Sequence, residues 1–260
     1  MANKLTKKNA TSSALADARN ERQHMIASNM SFAASEAYKL LRTNLMFSFS
    51  GSEACRIIGM TSSFRGEGKS LTSVNLAYTL AETQKKVLLI EGDMRLPTLA
   101  RRLRLNTAPG LSNLLAGISS LGESIQTFNV DVEDGVTIPV DVLVSGDVPP
   151  NPSELLGSER MMKLLEALRK HYEYIVFDLP PVTAVSDALV ACKLVDGMVI
   201  VVRNNHAVRG ALAETIRQMK LVDARILGFV FNGATESGSG YYKGKSYYKK
   251  NYYKNEYYRK

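Results

Sequence analysis

The segment from Ser63 to Ser70 has the composition and spacing of a phosphate-binding loop. Its residues, Ser-Phe-Arg-Gly-Glu-Gly-Lys-Ser, fit the pattern G-x-x-x-x-G-K-[ST] except that Ser63 stands at the first glycine. Successive N–H groups of such a loop, together with the N-terminus of the following helix, bind an anion. Lys69 is expected to reach the β- and γ-phosphates of a nucleoside triphosphate, and the Ser70 hydroxyl to bind Mg²⁺. The pattern predicts triphosphate binding and does not distinguish an ATPase from a kinase.

Three acidic residues directly follow short apolar runs that are predicted to be strands. Glu91 and Asp93 follow one run, and Asp178 follows another. Because ligands of open α/β sheets bind beyond the carboxyl ends of the strands, all three acids are expected to converge on the phosphate loop. Asp178 is the expected Mg²⁺ ligand, directly or through water. Asp93 either holds the water shell of the metal or accepts a proton from an attacking hydroxyl, and Arg95 is expected to hold a carboxylate or a phosphate.

The elements that must position these residues alternate between strands and helices. Unbroken apolar runs separated by helical patterns predict an α/β fold, a P-loop NTPase-type parallel sheet with helices on both faces. Short helices are predicted within 97–130, including Leu111–Leu115 and Leu121–Phe128. One longer helix is predicted to begin at Asn151, which has the residue types of a capped start, and to continue to Leu168. The predicted strands lie at 56–61, 86–90, 136–144, 174–177, 198–202 and 226–231.

Three segments make up the predicted domain organisation. Residues 1–30 are predicted to be a flexible arm, 31–235 a single domain that begins with a helix from Ser31 to about Phe47, and 236–260 a disordered tail. The last 20 residues contain no aliphatic side chain and therefore cannot join a core.

Charge and composition exclude several classes of protein. Residues 241–260 hold seven Lys/Arg and one Glu, so +6 of the net charge of +8 belongs to the tail and the folded body is nearly neutral. A generic basic nucleic-acid-binding domain is therefore disfavoured. The chain has two cysteines, no signal-peptide pattern and no apolar run approaching 18 residues, which predicts a reducing cytosol and no bilayer span.

The tail is also rich in tyrosine. A basic tail with aromatics is able to stack on single-stranded nucleic acid or to lie on anionic lipid. Paired tyrosines instead favour a phosphoacceptor with many equivalent hydroxyls. Eight of the twelve tyrosines occur there as four pairs: Tyr241 and Tyr242, Tyr247 and Tyr248, Tyr252 and Tyr253, and Tyr257 and Tyr258.

Taken together, these motifs resemble those of the bacterial tyrosine kinases of the capsule and exopolysaccharide type, in their stand-alone cytoplasmic form. The resemblance covers about residues 31–260 and includes the phosphate loop, both acidic motifs, the segment Pro149-Pro-Asn-Pro-Ser-Glu-Leu-Leu156 and the tail. It implies ATP and Mg²⁺ as cofactors and autophosphorylation of the tail tyrosines. The nucleotide-binding residues it implies are Gly66, Glu67, Gly68, Lys69, Ser70 and Leu71, the metal-binding residues are Ser70, Asp93 and Asp178, and the catalytic residues are Lys69, Glu91, Asp93 and Asp178.

The resemblance also implies partners. Glu36, Lys39 and Arg42 resemble the E-x-x-R-x-x-R contact that closes a ring of subunits, which implies a homo-oligomer when the tail is unphosphorylated. A membrane-anchored adaptor is expected to activate the kinase and to recruit it from the cytoplasm to the inner face of the membrane. A cognate tyrosine phosphatase is expected, and a specific nucleic acid is not.

This chain departs from the family pattern at three positions. Glu91 stands where the family usually has Asp, which leaves open whether Glu91 or Asp93 is the base. Arg65 replaces a proline, and Lys39 replaces an arginine and so loses bidentate geometry. The alternative is a MinD/ParA-like switch ATPase without kinase activity, but such proteins carry a second lysine at the position of Phe64.

Overall fold

A computed structural model of the chain describes residues 30–49, 54–132 and 136–233. The predicted arm up to residue 29 and the predicted tail, with its eight tyrosines, lie outside the described residues. Seven strands form one sheet: β1 Arg56–Ser62, β2 Val87–Glu91, β3 Ile125–Asp131, β4 Thr137–Leu143, β5 Tyr174–Asp178, β6 Gly197–Arg203 and β7 Ile226–Asn232. The helices are α1 Phe32–Ser48, α2 Lys69–Ala81, α3 Leu99–Leu103, α4 Leu111–Ala116, α5 Leu121–Ser124, α6 Pro152–Leu156, α7 Glu159–Leu168, α8 Asp187–Ala191 and α9 Arg209–Leu221.

The sheet confirms the predicted class. Its strand order is β3-β4-β2-β5-β1-β6-β7, and all neighbouring strands run parallel except β3 and β4. Every residue of β1 and β2 is buried, as expected for strands covered on both faces. Side chains alternate between two cores, so that Ile57 faces the core of α7 and α8, whereas Ile58 and Met60 face that of α2.

The predicted helix Leu121–Phe128 is wrong in its second half. Helix α5 ends at Ser124, and the chain then forms β3, which pairs antiparallel with β4 at the edge of the sheet. Local sequence explains only the helical start, where Ser120 and Glu123 form a capping box. Pairing with β4 and the packing of Val130 against Tyr78 favour the strand, and these contacts come from distant segments.

The single helix predicted from Asn151 is two helices. Helix α6 ends before Gly157, and Ser158 begins α7 by accepting a hydrogen bond from the N–H of Met161 at 3.2 Å. Asn151 does not cap α6 through its side chain, which instead donates to Glu154 Oε2 at 2.7 Å. The apolar pattern is continuous from Leu155 to Leu168, but Ser158 within it acts as a second N-cap and so divides the helix in two.

Helix α1 confirms the prediction for the N-terminal helix, because Ser31 caps it and Leu45 is buried. The three predicted subunit-contact residues on α1 differ in their contacts within the chain. Glu36 and Lys39 pair with each other at 2.9 Å near the surface, whereas Arg42 donates a 2.6 Å hydrogen bond to Thr79 O on α2. Across the parts of the chain that the structure describes, none of the helices combines the length and apolarity of a membrane span.

Candidate active site

The phosphate loop joins the end of β1 to the start of α2, as its sequence predicts. Gly66 and Gly68 have φ angles of +82° and +92°, which side-chain-bearing residues rarely adopt. A Cβ atom at Gly68 would overlap Nδ2 of Asn232, so any other residue there would strain the backbone and displace that side chain. Among the described residues of the loop these two glycines are the ones with positive φ, which explains why Ser63 is tolerated at the first glycine position.

Side chains from outside the loop hold its carbonyl groups. Because the carbonyls are engaged in this way, the N–H groups of the loop are favoured to face a bound anion. Five successive carbonyl oxygens each accept a hydrogen bond: Ser63 from Thr183, Phe64 from Ser62, Arg65 from His206 as its Nε2–H tautomer, Gly66 from Arg203, and Glu67 from Asn232.

Lys69 lies between the two aspartates that follow β2 and β5. Its Nζ is 3.5 Å from Asp93 Oδ2, 3.6 Å from Asp178 Oδ1 and 3.3 Å from the hydroxyl of Ser70. All three charged side chains are largely buried, with 11%, 9% and 1% of their surfaces exposed. The fold therefore brings four of the predicted site residues together at the carboxyl edge of the sheet.

Asp178 has an oxygen available for a metal ion. Its Oδ1 accepts a 3.1 Å hydrogen bond from Ser73, whereas Oδ2 is buried and has no hydrogen-bond partner among the residues that the structure describes. Mg²⁺ is commonly held by one or two carboxylates, water and the phosphates of a nucleotide. Asp178, Asp93 and Ser70 fit that donor set. Ser73 was not among the predicted site residues. Its position four residues after Lys69 on the same helix places both side chains on one face, which would have indicated that it lies near the site.

Glu91 has a different environment from the two aspartates. Its Oε1 accepts hydrogen bonds from the N–H groups of Thr98 and Leu99, the latter at 2.7 Å, and its Oε2 accepts from Ser145 N at 3.2 Å. Burial raises the pKa of the Glu91 carboxyl, although these backbone hydrogen bonds act in the opposite direction. Glu91 thus anchors the start of α3 and the turn after β4, and backbone donors occupy both of its oxygens.

The remaining predicted nucleotide-binding residues lie in or beside the loop. Glu67 is buried beneath it, where Oε2 accepts from Phe64 N at 2.8 Å and Oε1 has no hydrogen-bond partner within the described part of the chain. Leu71 is half-buried in the first turn of α2. Arg95 holds a carboxylate, one of its two predicted ligands: it pairs with Asp187 at 2.9 Å.

The loop, its lysine and the two strand-end aspartates, on a mainly parallel sheet, define a P-loop NTPase-type domain. A family model described as an AAA domain matches residues 55–227. The chain is 35% identical to the tyrosine-protein kinase YwqD of Bacillus subtilis over 217 residues, which are 82% of this chain and 88% of YwqD. The kinase domain of the Escherichia coli tyrosine kinase Etk superposes with a TM-score of 0.75 at 33% identity, over 84% of this chain and 83% of that domain.

These similarities identify the chain as a member of the bacterial tyrosine-protein kinase family, which confirms the resemblance seen in its motifs. In sequence the chain matches 28% of the length of full Etk, at 34% identity over 214 residues, so in Etk the kinase is one part of a longer protein. The septum site-determining protein MinD of Pyrococcus horikoshii has a TM-score of 0.54 at 23% identity, which shows a shared fold alone.

Proposed function

We propose that this protein is an ATP-dependent tyrosine autokinase that phosphorylates its own C-terminal tyrosines and regulates capsule or exopolysaccharide synthesis. The observation that carries the proposal is the position of Lys69 between Asp93 and Asp178, beside Ser70. This arrangement places a lysine suited to bind phosphate next to oxygen atoms suited to bind a metal ion. The end of β7, which precedes the tail, supports it as well. Asn232 donates to Glu67 O at 3.0 Å, so the chain leaves β7 beside the phosphate loop.

Mg·ATP, when bound, supplies the γ-phosphoryl group and a cation that neutralises charge on the phosphates. Lys69 binds phosphate oxygens, and the free Oδ2 of Asp178 holds the metal, directly or through water. Asp93 accepts the proton of the attacking tyrosine hydroxyl. Its other oxygen, Oδ1, is held by the N–H of Leu96 at 3.2 Å, which leaves Oδ2 for this role.

The reach of the tail allows transfer within one chain or between chains. Tyr241 is eight residues beyond Gly233, so it reaches at most about 26–29 Å from the end of the described domain. Residues 241–260 span up to about 65–70 Å when extended, which is enough to enter a neighbouring active site.

Mixing two variants tests the proposal. A Lys69→Met protein lacks the phosphate ligand but keeps the tail, and a second variant with all eight tail tyrosines changed to Phe keeps the active site. With ATP and Mg²⁺, we expect phosphotyrosine on the Lys69→Met tail, detected by mass spectrometry, if transfer occurs between chains. Wild-type protein that hydrolyses ATP without forming any phosphotyrosine would instead favour the switch ATPase.

We further propose that the unphosphorylated protein forms rings in which Glu36 and Lys39 contribute to the subunit contact. Both lie near the surface of α1, whereas Arg42 is engaged within its own chain. Eight phosphates would change the tail charge from +6 to about −6 to −10, so that crowded tails repel one another. Light scattering on Lys69→Met and on ATP-treated wild type should give a larger mass for the variant.

A membrane-anchored adaptor and a cognate phosphatase complete the proposed system, with the kinase cytoplasmic and recruited to the inner face of the membrane. In Etk the kinase part accounts for about a quarter of a longer chain, which supports a second component here. The cytoplasmic segment of the adaptor should raise the autokinase rate of the purified protein. An unchanged rate would argue against a two-part system.

A further inference from the structure

Arg95 and Asp187 form a bidentate ion pair beside the site, although they are 92 residues apart in the chain. Arg95 Nε lies 2.9 Å from Asp187 Oδ2, and Nη2 lies 3.1 Å from Oδ1. The Asp187 side chain is fully buried, and the hydroxyl of Ser153 also donates to its Oδ1. The pair therefore joins the turn after β2 to the starts of α6 and α8.

Each residue of the pair follows one of the two predicted metal ligands in the chain: Arg95 follows Asp93, and Asp187 follows Asp178. Arg95 is in the turn in which Asp93 accepts the hydrogen bond from Leu96 N. Asp187 ends the segment that starts at Asp178. That segment is fastened to the end of β1 and the start of the phosphate loop, where the N–H of Val182 donates to Ser62 O at 2.9 Å and the hydroxyl of Thr183 donates to Ser63 O.

Lys69 also connects the segment that contains Asp93 to the segment that begins at Asp178, and it does so within the site. Its ammonium lies within 4 Å of both Asp93 and Asp178 and balances their charges. When the Lys69 side chain turns to bind nucleotide phosphates, its ammonium group moves away from the two carboxylates. Two buried carboxylates without a shared cation repel each other and separate unless the segments that carry them are fixed by other contacts.

We propose that Arg95 and Asp187 are positioning residues that keep Asp93 and Asp178 at the spacing a divalent cation requires when Lys69 is bound to phosphate. This inference rests on the proposed function, with Asp178 as the metal ligand and Asp93 on the water shell of the metal, where it also accepts the tyrosine proton. The arginine fork is essential to the role, because two parallel hydrogen bonds fix direction as well as distance, and a lysine supplies charge alone.

A matched pair at the opposite edge of the sheet provides the control. Arg169 also binds Asp196 in a bidentate manner, through Nη1 and Nη2 at 3.0 Å and 2.7 Å, and Asp196 accepts a further hydrogen bond from the N–H of Ile57. This pair joins the start of β1 to the segment before β6 and is distant from the phosphate loop. Arg169→Lys should therefore lower the free energy of unfolding without changing metal binding.

Binding measurements without turnover test the role. The full chain is titrated with Mn²⁺ in the presence of ADP, with free Mn²⁺ followed by electron paramagnetic resonance, and ADP binding is measured separately in chelator. In Arg95→Lys and Asp187→Asn we expect the Mn²⁺ dissociation constant to rise about 10–100-fold, as for other residues that orient metal ligands. ADP affinity in chelator should change less than about twofold, since Lys69 and the loop are untouched.

A milder variant keeps the test decisive if Asp187→Asn does not fold. Ser153→Ala removes one hydrogen bond to Asp187 and should raise the Mn²⁺ dissociation constant by a smaller factor. An unchanged constant in Arg95→Lys, with a loss of stability equal to that of Arg169→Lys, would show a structural tie only and overturn the inference. Wild type that binds Mn·ADP but forms no phosphotyrosine would refute the proposed kinase activity and leave the positioning role standing.

Discussion

The hydroxyl of Thr215 donates a 3.0 Å hydrogen bond to the hydroxyl of Ser63, and both side chains are buried. Helix α9 thereby contacts the first residue of the phosphate loop, at the position where the sequence pattern has glycine. The serine gives this loop a fixed point that glycine could not provide.

We predict that restoring the glycine at this position destabilises the protein. Ser63→Gly leaves the Thr215 hydroxyl buried without its acceptor, at a cost of about 1–3 kcal/mol in the free energy of unfolding. Urea titration measures this cost, and Thr215→Val in the same background should recover part of it. Losses that simply add in the double variant would show that the two hydroxyls are not coupled.

Removing the ammonium of Lys69 should make the empty site respond to Mg²⁺. In Lys69→Met, Asp93 and Asp178 lose the cation they share, so we expect a lower Tm in chelator than for wild type. Added Mg²⁺ should raise the Tm of the variant by several degrees, and more than that of wild type, with about 2–4 °C per kcal/mol in a chain of this size. The control is Lys85→Met, which removes a lysine from a surface ion pair with Glu173.

Glu91 should behave as a structural anchor. Glu91→Gln places an amide group against backbone N–H donors, and the lost hydrogen bonding should cost about 1–3 kcal/mol in the free energy of unfolding. The kcat of the folded fraction should fall by much less than the 10²–10⁴-fold typical of a lost general base. Urea titration measures the loss of stability and single-turnover phosphorylation measures the rate, and together they distinguish a structural anchor from a general base. A fall of that size in a variant of unchanged stability would assign the base to Glu91.

The residues of α1 should separate into two classes. A charge reversal at Lys39, Lys39→Glu, should weaken subunit association with little effect on the monomer, because its ion pair among the described residues is with neighbouring Glu36 near the surface. Arg42→Ala should destabilise the monomer itself, since it removes the 2.6 Å hydrogen bond to Thr79 O. Light scattering and urea titration on each variant separate the effects. Equal loss of stability in both would contradict this assignment.

The environment of Tyr172 leads us to expect that the free energy of unfolding decreases in strong alkali. Burial, and then its 2.8 Å hydrogen bond to Asp141, raise the pKa of the phenol above its ordinary value near 10. A group with a raised pKa in the folded state contributes its full stability below pH 10 and loses it as the pH rises further. Tyr172→Phe should therefore be about 1 kcal/mol less stable than wild type at pH 8, and the gap should narrow at pH 11. A gap independent of pH would show that Tyr172 does not titrate differently in the folded state.

Much of the fold could be predicted because its signals are local. Apolar runs predicted five strands and a loosely alternating segment predicted a sixth, and the phosphate loop was correctly placed between β1 and α2. The convergence of Asp93 and Asp178 near Lys69 followed from one rule, that parallel strands present their carboxyl ends at one edge. Strand β3 was missed, since an edge strand of mixed polarity acquires its structure from pairing with β4.

The roles of individual side chains required the tertiary structure. Sequence alone predicted a phosphate loop beside two strand-end aspartates, because a glycine-rich turn and a buried strand are encoded by neighbouring residues. It did not separate Glu91 from Asp93, two residues apart, since the difference lies in backbone donors from α3 and from Ser145, 54 positions away. The partner of Arg95 was likewise left open between a carboxylate and a phosphate. Hydrogen bonds between distant segments form only when packing brings those segments together, and no local pattern records them.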